Sequence, residues 1–278
     1  MRSVEFESLM RKGEWFHSLR VPHGMWTIVR VDGRSFTKLT ERMGFDKPFD
    51  ADFGTMMNGT AKALITGLSG RYAYVESDEI SVLLPMETDL FGREVEKLVS
   101  VSAGIASAAF TREFDKMLMP DVMEEMEPDQ CVFDARIWIG SSVEHVVDYF
   151  NWRMADAQRC AINSCCYWAL RKEGKPASEA TAHLRGATPG FKRDLLRKRE
   201  IDFDALPRWM RFGTGLYWTL KAKDGVNPKT GQPVKAIRRA LYIDHDLPQG
   251  GPYDGLVAAA AVGALDWRLV ALTPVTPS

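Results

Sequence analysis

The sequence carries two short segments in which carboxylates stand beside apolar runs: Val29-Arg30-Val31-Asp32-Gly33-Arg34-Ser35-Phe36 and Glu76-Ser77-Asp78-Glu79-Ile80-Ser81. Such a pair suits the transfer of a nucleotidyl group, which needs divalent ions to orient the attacking and leaving oxygens and to neutralise developing charge. Magnesium takes only one or two carboxylates and fills its other positions with water and phosphate oxygens. Asp32 and Asp78 are the candidate ligands, and Gly33, without a side chain, lets its backbone carbonyl approach as a further oxygen. Neither segment is specific alone. An Asp-Gly pair after a strand also makes an ordinary turn, and Ser-Asp-Glu between apolar runs also makes a plain hairpin tip.

The surrounding elements decide whether the two acids meet. Residues 26–31 read as a buried strand, and Phe53, Met56, Met57, Ala61, Leu64 and Ile65 at helical spacing predict an amphipathic helix over 49–68. Strands are expected over 71–75 and 80–84 around the Ser77-Asp78-Glu79 turn, then a helix over 93–110 and a strand over 133–139. The order is βαββαβ, an α/β (α+β) arrangement of the ferredoxin-like kind. In that topology the first and third strands are antiparallel neighbours, so Asp32 and Asp78 converge although they are far apart in sequence. A longer helix is expected over 143–171, with Arg153, Asp156, Arg159 and Asn163 on its polar side, and a loop over 223–233.

With these elements in order, the chain resembles the tRNA(His) guanylyltransferase family of 3′-to-5′ RNA polymerases, most closely its bacterial and archaeal guanylyltransferase-like members. The resemblance rests on Val29 to Phe36, Phe45-Asp46-Lys47-Pro48, Glu76 to Ser81, Phe133 to Arg136, Asp148-Tyr149-Phe150-Asn151-Trp152-Arg153 through Cys166-Tyr167-Trp168, and Phe191 through Leu206-Pro207-Arg208-Trp209 to Gly213-Thr214-Gly215. It implies a polymerase palm working on an RNA 5′ end. It also implies two Mg2+ ions held by Asp32, the Gly33 carbonyl and Asp78, with Glu79 as a further catalytic acid. The triphosphate of ATP, GTP or another nucleoside triphosphate would be cradled by Asp32, Gly33, Arg34, Ser35, Phe36 and Thr37 with Lys47, Ser77 and Asp78. Arg30, Lys97 and Arg136 would stand near a triphosphate or the RNA 5′ end. The implied partners are tRNA and nucleoside triphosphates, and the implied assembly is a homotetramer.

One departure bears on the substrate. Members dedicated to tRNA(His) carry His-Ile-Asn-Asn after the Trp-Arg segment, where this chain has Gln158-Arg159-Cys160-Ala161. The segment instead resembles the guanylyltransferase-like proteins that restore truncated tRNA 5′ ends by templated pairing. The expectation is therefore tRNA 5′-end repair, with guanine addition to tRNA(His), a palm-type nucleotide cyclase and a non-catalytic RNA-binding palm as alternatives.

Composition sets the bounds. With 36 basic and 37 acidic residues among 278, the net charge of −1 excludes a generally basic nucleic-acid binder, so any RNA footprint is local. The candidate footprint is Lys192, Arg193, Arg197 and Lys198, where a solvated helix face is an equal reading. Lys235, Arg238 and Arg239 invite the same two readings. The four cysteines lack the spacing of a zinc site or disulfide framework. No apolar run approaches spanning length, no basic-then-apolar leader opens the chain, and a cytoplasmic setting without membrane attachment is expected. The palm is expected over 1–140 and a helical RNA-binding extension over 141–278, with the Ala-rich stretch from Gly255 docking as a short helix.

Overall fold

A computed structural model of the chain describes residues 4–117, 131–226, 229 and 231–264. Its centre is a six-stranded sheet of order β4-β1-β3-β2-β5-β6. The strands are β1 (Trp26–Gly33), β2 (Tyr72–Glu76), β3 (Glu79–Leu83), β4 (Phe133–Gly140), β5 (Thr214–Val226) and β6 (Pro233–Asp244), and every neighbouring pair is antiparallel. The first four strands have the ferredoxin-like order expected from the pattern. β5 and β6, from the C-terminal half, extend the same sheet by pairing β5 on β2.

Alternation along β1 assigns its two faces. Val29 and Val31 pack beneath α3 (Ala51–Gly67) and α4 (Val95–Met117), whereas Trp26 and Ile28 face α5 (Val143–Lys172) and α9 (Gly251–Ala261). The sheet is thus covered on both sides, and Arg30 and Asp32 continue the row that faces α5. Helix α5 has 30 residues and is therefore about 45 Å long, more than the sheet can cover. Its first half packs on the sheet. Its second half carries α6 (Ala177–Leu184) and α7 (Pro189–Arg197) around a separate apolar cluster that includes Ile162, Cys166, Leu170, Leu184 and Leu196.

The helix ends follow from local chemistry. Asp50 caps α3 by accepting from the Phe53 amide at 2.8 Å, so this helix begins two residues after the expected 49. Ser142 caps α5 in the same way through the His145 amide. The helix expected from 93 begins at Val95 instead, because Arg93 has a left-handed φ of 58° and is buried, donating to the carbonyls of Val21, Pro22 and Thr88. It also runs on to Met117, past the expected 110. Where a loop was expected over 223–233, β5 and β6 run to Val226 and from Pro233, since cross-strand pairing continues through the Gly225–Val234 position. The Ala-rich stretch forms α9, whose Tyr253, Leu256 and Val257 are buried; the terminal Thr-Pro-Val-Thr-Pro-Ser lies outside the described residues.

Gly33 closes β1 for a packing reason separate from the ligand role expected of its carbonyl. A Cβ there would stand 2.6 Å from the Phe36 ring, which is 2% exposed and fixed among Phe53, Phe110 and Phe133. Gly33→Ala should therefore destabilise the protein by about 1–3 kcal/mol, the usual cost of overpacking. Urea unfolding measures this, and an unchanged midpoint would show that the Phe36 cluster yields freely.

Candidate active site

Asp32 and Asp78 stand together because β1 ends where the β2–β3 hairpin turns. Asp32 lies directly opposite Glu79 in the β1–β3 register, and the Gly33 amide donates to the Asp78 carbonyl at 3.0 Å. Glu76 and Glu79 are cross-strand partners, so Ser77 and Asp78 form the turn itself, with Ser77 at a left-handed φ of 49°. Asp32, Ser77, Asp78 and Glu79 all line a cleft of about 720 Å³ that continues past Asp50, Gly54 and Asn58 of the α3 segment to Trp209, Gly213 and His245.

The electrostatics of this end are those of crowded acids. Burial, and next the neighbouring Asp32 charge, push the Asp78 carboxyl up to about 6. Asp32 is raised by burial and then by Asp134, its cross-strand partner on β4. Glu76 rises to about 8, chiefly through burial and secondly through Glu79. Arg153 of α5, whose side chain is 7% exposed, answers the two glutamates. It donates from Nε to Glu79 Oε1 at 2.7 Å and from Nη2 to Glu79 Oε2 at 3.0 Å, and it also bonds Glu76. Arg30 sits 3.6 Å from the same Glu79 carboxylate. Glu79 is therefore held in ion pairs on both oxygens.

Other expected residues stand around these acids, Arg136 close enough to act on the Asp32 charge. Lys47 donates to Thr40 Oγ1, lies over the Trp168 ring and feels the charge of Asp78; its ammonium pKa is lowered, first by burial. Arg136 is the β4 partner of Arg30 and bonds Asp134 at 3.1 Å. Arg34 is exposed and its amide donates to the Val132 carbonyl. Ser35, at a φ of 61°, precedes the short helix α2 (Phe36–Arg42), with Thr37 exposed in its first turn. Phe36 differs from the expectation in one respect: its ring is core, so only its backbone could meet a ligand.

Lys97 is not brought to this end. It lies in the first turn of α4, which follows the opposite end of β3, and it pairs with Glu94 at 3.5 Å. The basic residues of α7 are also apart from the aspartates, on the cluster around the second half of α5. Arg193 bonds Asp204 at 3.2 Å and Arg197 bonds Asp194 at 2.7 Å, while Lys192 and Lys198 complete that surface. From the sequence Arg153 stands out only as one of the polar residues of the long helix and Glu76 only as the first residue of the second segment; neither is assigned to the site there. The available signal was the pairing itself, since two buried acids opposite each other require a cation, and the predicted α5 supplies one at Arg153.

The donor set fits a hard divalent cation. Asp32, Asp78 and the Gly33 carbonyl offer oxygens only, at a crowded acidic end where a cation would relieve repulsion. Among the described residues no group of three or more His, Cys, Asp or Glu side chains could hold an ion unaided. Phosphate oxygens and water would have to complete the shell, as magnesium prefers. Cys131, Cys160, Cys165 and Cys166 are free.

Sheet order, covering helices and converging acids define a palm-type fold of the kind polymerases use. The family model described as tRNAHis guanylyltransferase matches residues 7–141, and the model for that family's C-terminal domain matches residues 144–241. The tRNA(His) guanylyltransferase of Debaryomyces hansenii is 35% identical over 79% of this chain and 84% of its own length. The probable tRNA(His) guanylyltransferase of Dictyostelium discoideum is 32% identical over 84% and 91%. The chain belongs to the tRNA(His) guanylyltransferase family. It spans only 38% and 41% of the two Arabidopsis thaliana relatives, to which it is 29% identical. A bacterial tRNA(His) guanylyltransferase-like protein in complex with ATP shares the fold, with a TM-score of 0.69 at 24% identity over 92% of this chain and 99% of that one. The Saccharomyces cerevisiae tRNA(His) guanylyltransferase structure gives 0.64 at 24% identity over 74% and 90%.

The raised Asp78 pKa has a consequence for stability. Folded Asp78 holds its proton up to about pH 6, whereas an unfolded aspartate releases it near about 3.9. Its contribution is fully present below about pH 4 and is lost as pH rises through about 6, because the folded state then binds more protons than the unfolded one. Asp78→Asn keeps the shape without the charge. It should stabilise the unliganded protein above about pH 6, by about 1–3 kcal/mol, and flatten the decline between about pH 4 and pH 7. Urea unfolding across that range tests it, and a variant that tracks the wild type would show that Asp78 is not strained.

Proposed function

We propose that the protein is a metal-dependent nucleotidyltransferase that adds nucleotides to the 5′ end of tRNA in the 3′-to-5′ direction, directed by the opposite strand of the acceptor stem. The observation that carries the reading is the meeting of Asp32 and Asp78 at the mouth of a cleft large enough for a nucleotide. Bound there, divalent cations would supply charge neutralisation and alignment of the phosphates. Family membership supports the reaction class, and the ATP and GTP complexes of bacterial guanylyltransferase-like proteins support the nucleotide substrates.

The chemistry balances in three steps. A 5′-phosphate oxygen of the RNA attacks the α-phosphorus of ATP, forming a phosphoanhydride and releasing pyrophosphate. The 3′-hydroxyl of an incoming nucleoside triphosphate then attacks the activated 5′ phosphorus, losing its proton while AMP leaves. Hydrolysis of the new 5′-triphosphate to pyrophosphate leaves a 5′-monophosphate. In this chain Lys47 meets a triphosphate as a point charge, Arg30 and Arg136 face the RNA 5′ end from the same sheet face, and the Asp32–Thr37 backbone lines the phosphate path. A non-catalytic RNA-binding palm has no use for crowded carboxylates beside RNA phosphates.

Repair is favoured over identity marking because Gln158-Arg159-Cys160-Ala161 replaces His-Ile-Asn-Asn, with Cys160 and Ala161 lining the cleft. With selectivity supplied by base pairing, the protein need only hold phosphates and metals. Purified protein with Mg2+, ATP and nucleoside triphosphates should restore the pairing base to several truncated tRNAs whose template base is varied, as read by product sequencing. Guanine added to tRNA(His) alone, whatever stands opposite, would overturn repair. Asp32→Ala and Asp78→Ala should each abolish addition in this assay with the fold retained, and turnover by either would sink the catalytic assignment. Lys47→Ala should raise the nucleotide KM about tenfold, the loss of roughly 1.4 kcal/mol, with tRNA affinity little changed; the reverse pattern would move Lys47 to the RNA footprint.

A further inference from the structure

The hairpin that presents Asp78 contains a built-in repulsion. Glu76 and Glu79 are directly opposed across the two strands and both are largely buried, and two acids so placed can ionise together only at the cost of pushing the strand pair apart. Arg153 reaches both from α5, taking Glu79 through two nitrogens at 2.7 and 3.0 Å and Glu76 through Nη2. The guanidinium is itself fixed on its helix, 4.6 Å from the Trp152 ring centroid and 3.2 Å from Asp156 Oδ2. A planar fork can hold two carboxylates at a set separation, which a lysine ammonium cannot do as well. Arg30 of β1 also stands 3.6 Å from Glu79, and above this bridge the Gly33 amide on the Asp78 carbonyl ties the turn to the sheet centre.

We propose that Arg153 is a positioning residue: by bridging Glu76 and Glu79 it closes the base of the Ser77-Asp78 turn and so sets where the Asp78 carboxylate stands relative to Asp32. The proposal rests on the assignment of Asp32 and Asp78 as cation ligands. Arg153 also lines the cleft; in this proposal it acts through the two glutamates. Glu79 then serves the site as one strut of the turn, held in its ion pair, while Asp78 at the tip faces the cation.

The test uses the full chain and Mn2+ as the probe, with binding followed by electron paramagnetic resonance and the Gly33 amide followed by hydrogen exchange. Arg153→Lys should weaken Mn2+ binding about 10- to 100-fold, the usual effect of losing an outer support of a metal site, and speed Gly33 exchange while thermal unfolding stays cooperative. Arg153→Met should lose more affinity, and adding Glu76→Gln to it should recover part of the loss by replacing one of the opposed acids with an amide that cannot ionise. Wild-type Mn2+ affinity in Arg153→Lys, or no recovery in the double variant, would overturn the proposal; if Arg153→Met does not fold, Arg153→Lys decides. Asp78→Ala separates the two levels. If it binds Mn2+ as the wild type does, the ligand assignment falls and the proposal with it; if it loses Mn2+ while Arg153→Lys keeps it, only the positioning role fails.

Discussion

Antiparallel pairing of β1 directly on β3 is the constraint on which the site depends. It sets Asp32 opposite Glu79, lets the Gly33 amide reach the Asp78 carbonyl and brings two acids from distant parts of the chain to one end of the central strands. A register slip of one residue would turn Asp32 to the opposite face and drive Val31 out of the core beneath α3 and α4. Apolar packing on one face therefore fixes the position of charged groups on the other. The site inherits its precision from the core, and the crowding of its acids is tolerated because the sheet cannot relax to separate them.

Helix α5 converts that end of the sheet into a cleft. Its first half seals the sheet face with Val146, Tyr149 and Phe150, its middle supplies Arg153 to the hairpin, and Ala157, Cys160, Ala161 and Ser164 form the wall beyond. A single helix thus relates core, ion network and cleft wall, while α6 and α7 brace its second half. Among the described residues Glu76 Oε2 has no hydrogen-bond partner, and burial, with the neighbouring acids second, keeps Asp32 and Asp78 partly reluctant to ionise. Cations and a triphosphate would complete such a site.

Much of this was legible because it depends on local patterning. Alternation over β1, the apolar spacing of α3 and the Ser77-Asp78 turn each signal their element, and the βαββαβ order then brings the acids together. What escaped was decided by tertiary contacts. Arg93 reads as a helical residue yet caps a cluster of carbonyls, and the β5–β6 ribbon runs into the Gly- and Pro-rich stretch as far as Val226 and Pro233 because each strand has the other to bond. Lys97 illustrates the converse: its position on α4 relative to the aspartates follows from which end of β3 the helix leaves, and charge alone cannot indicate that. Arg153 was visible as a polar residue on a helix, but its importance lies in the two buried glutamates it meets.

The most direct test of the central claim is a crystal structure with Mn2+ and a non-hydrolysable nucleoside triphosphate, read by anomalous scattering. Manganese peaks are expected within reach of the Asp32 and Asp78 carboxylates, the Gly33 carbonyl and the triphosphate oxygens. Manganese bound elsewhere, or a triphosphate seated in the cleft with no ion between these aspartates, would contradict that claim.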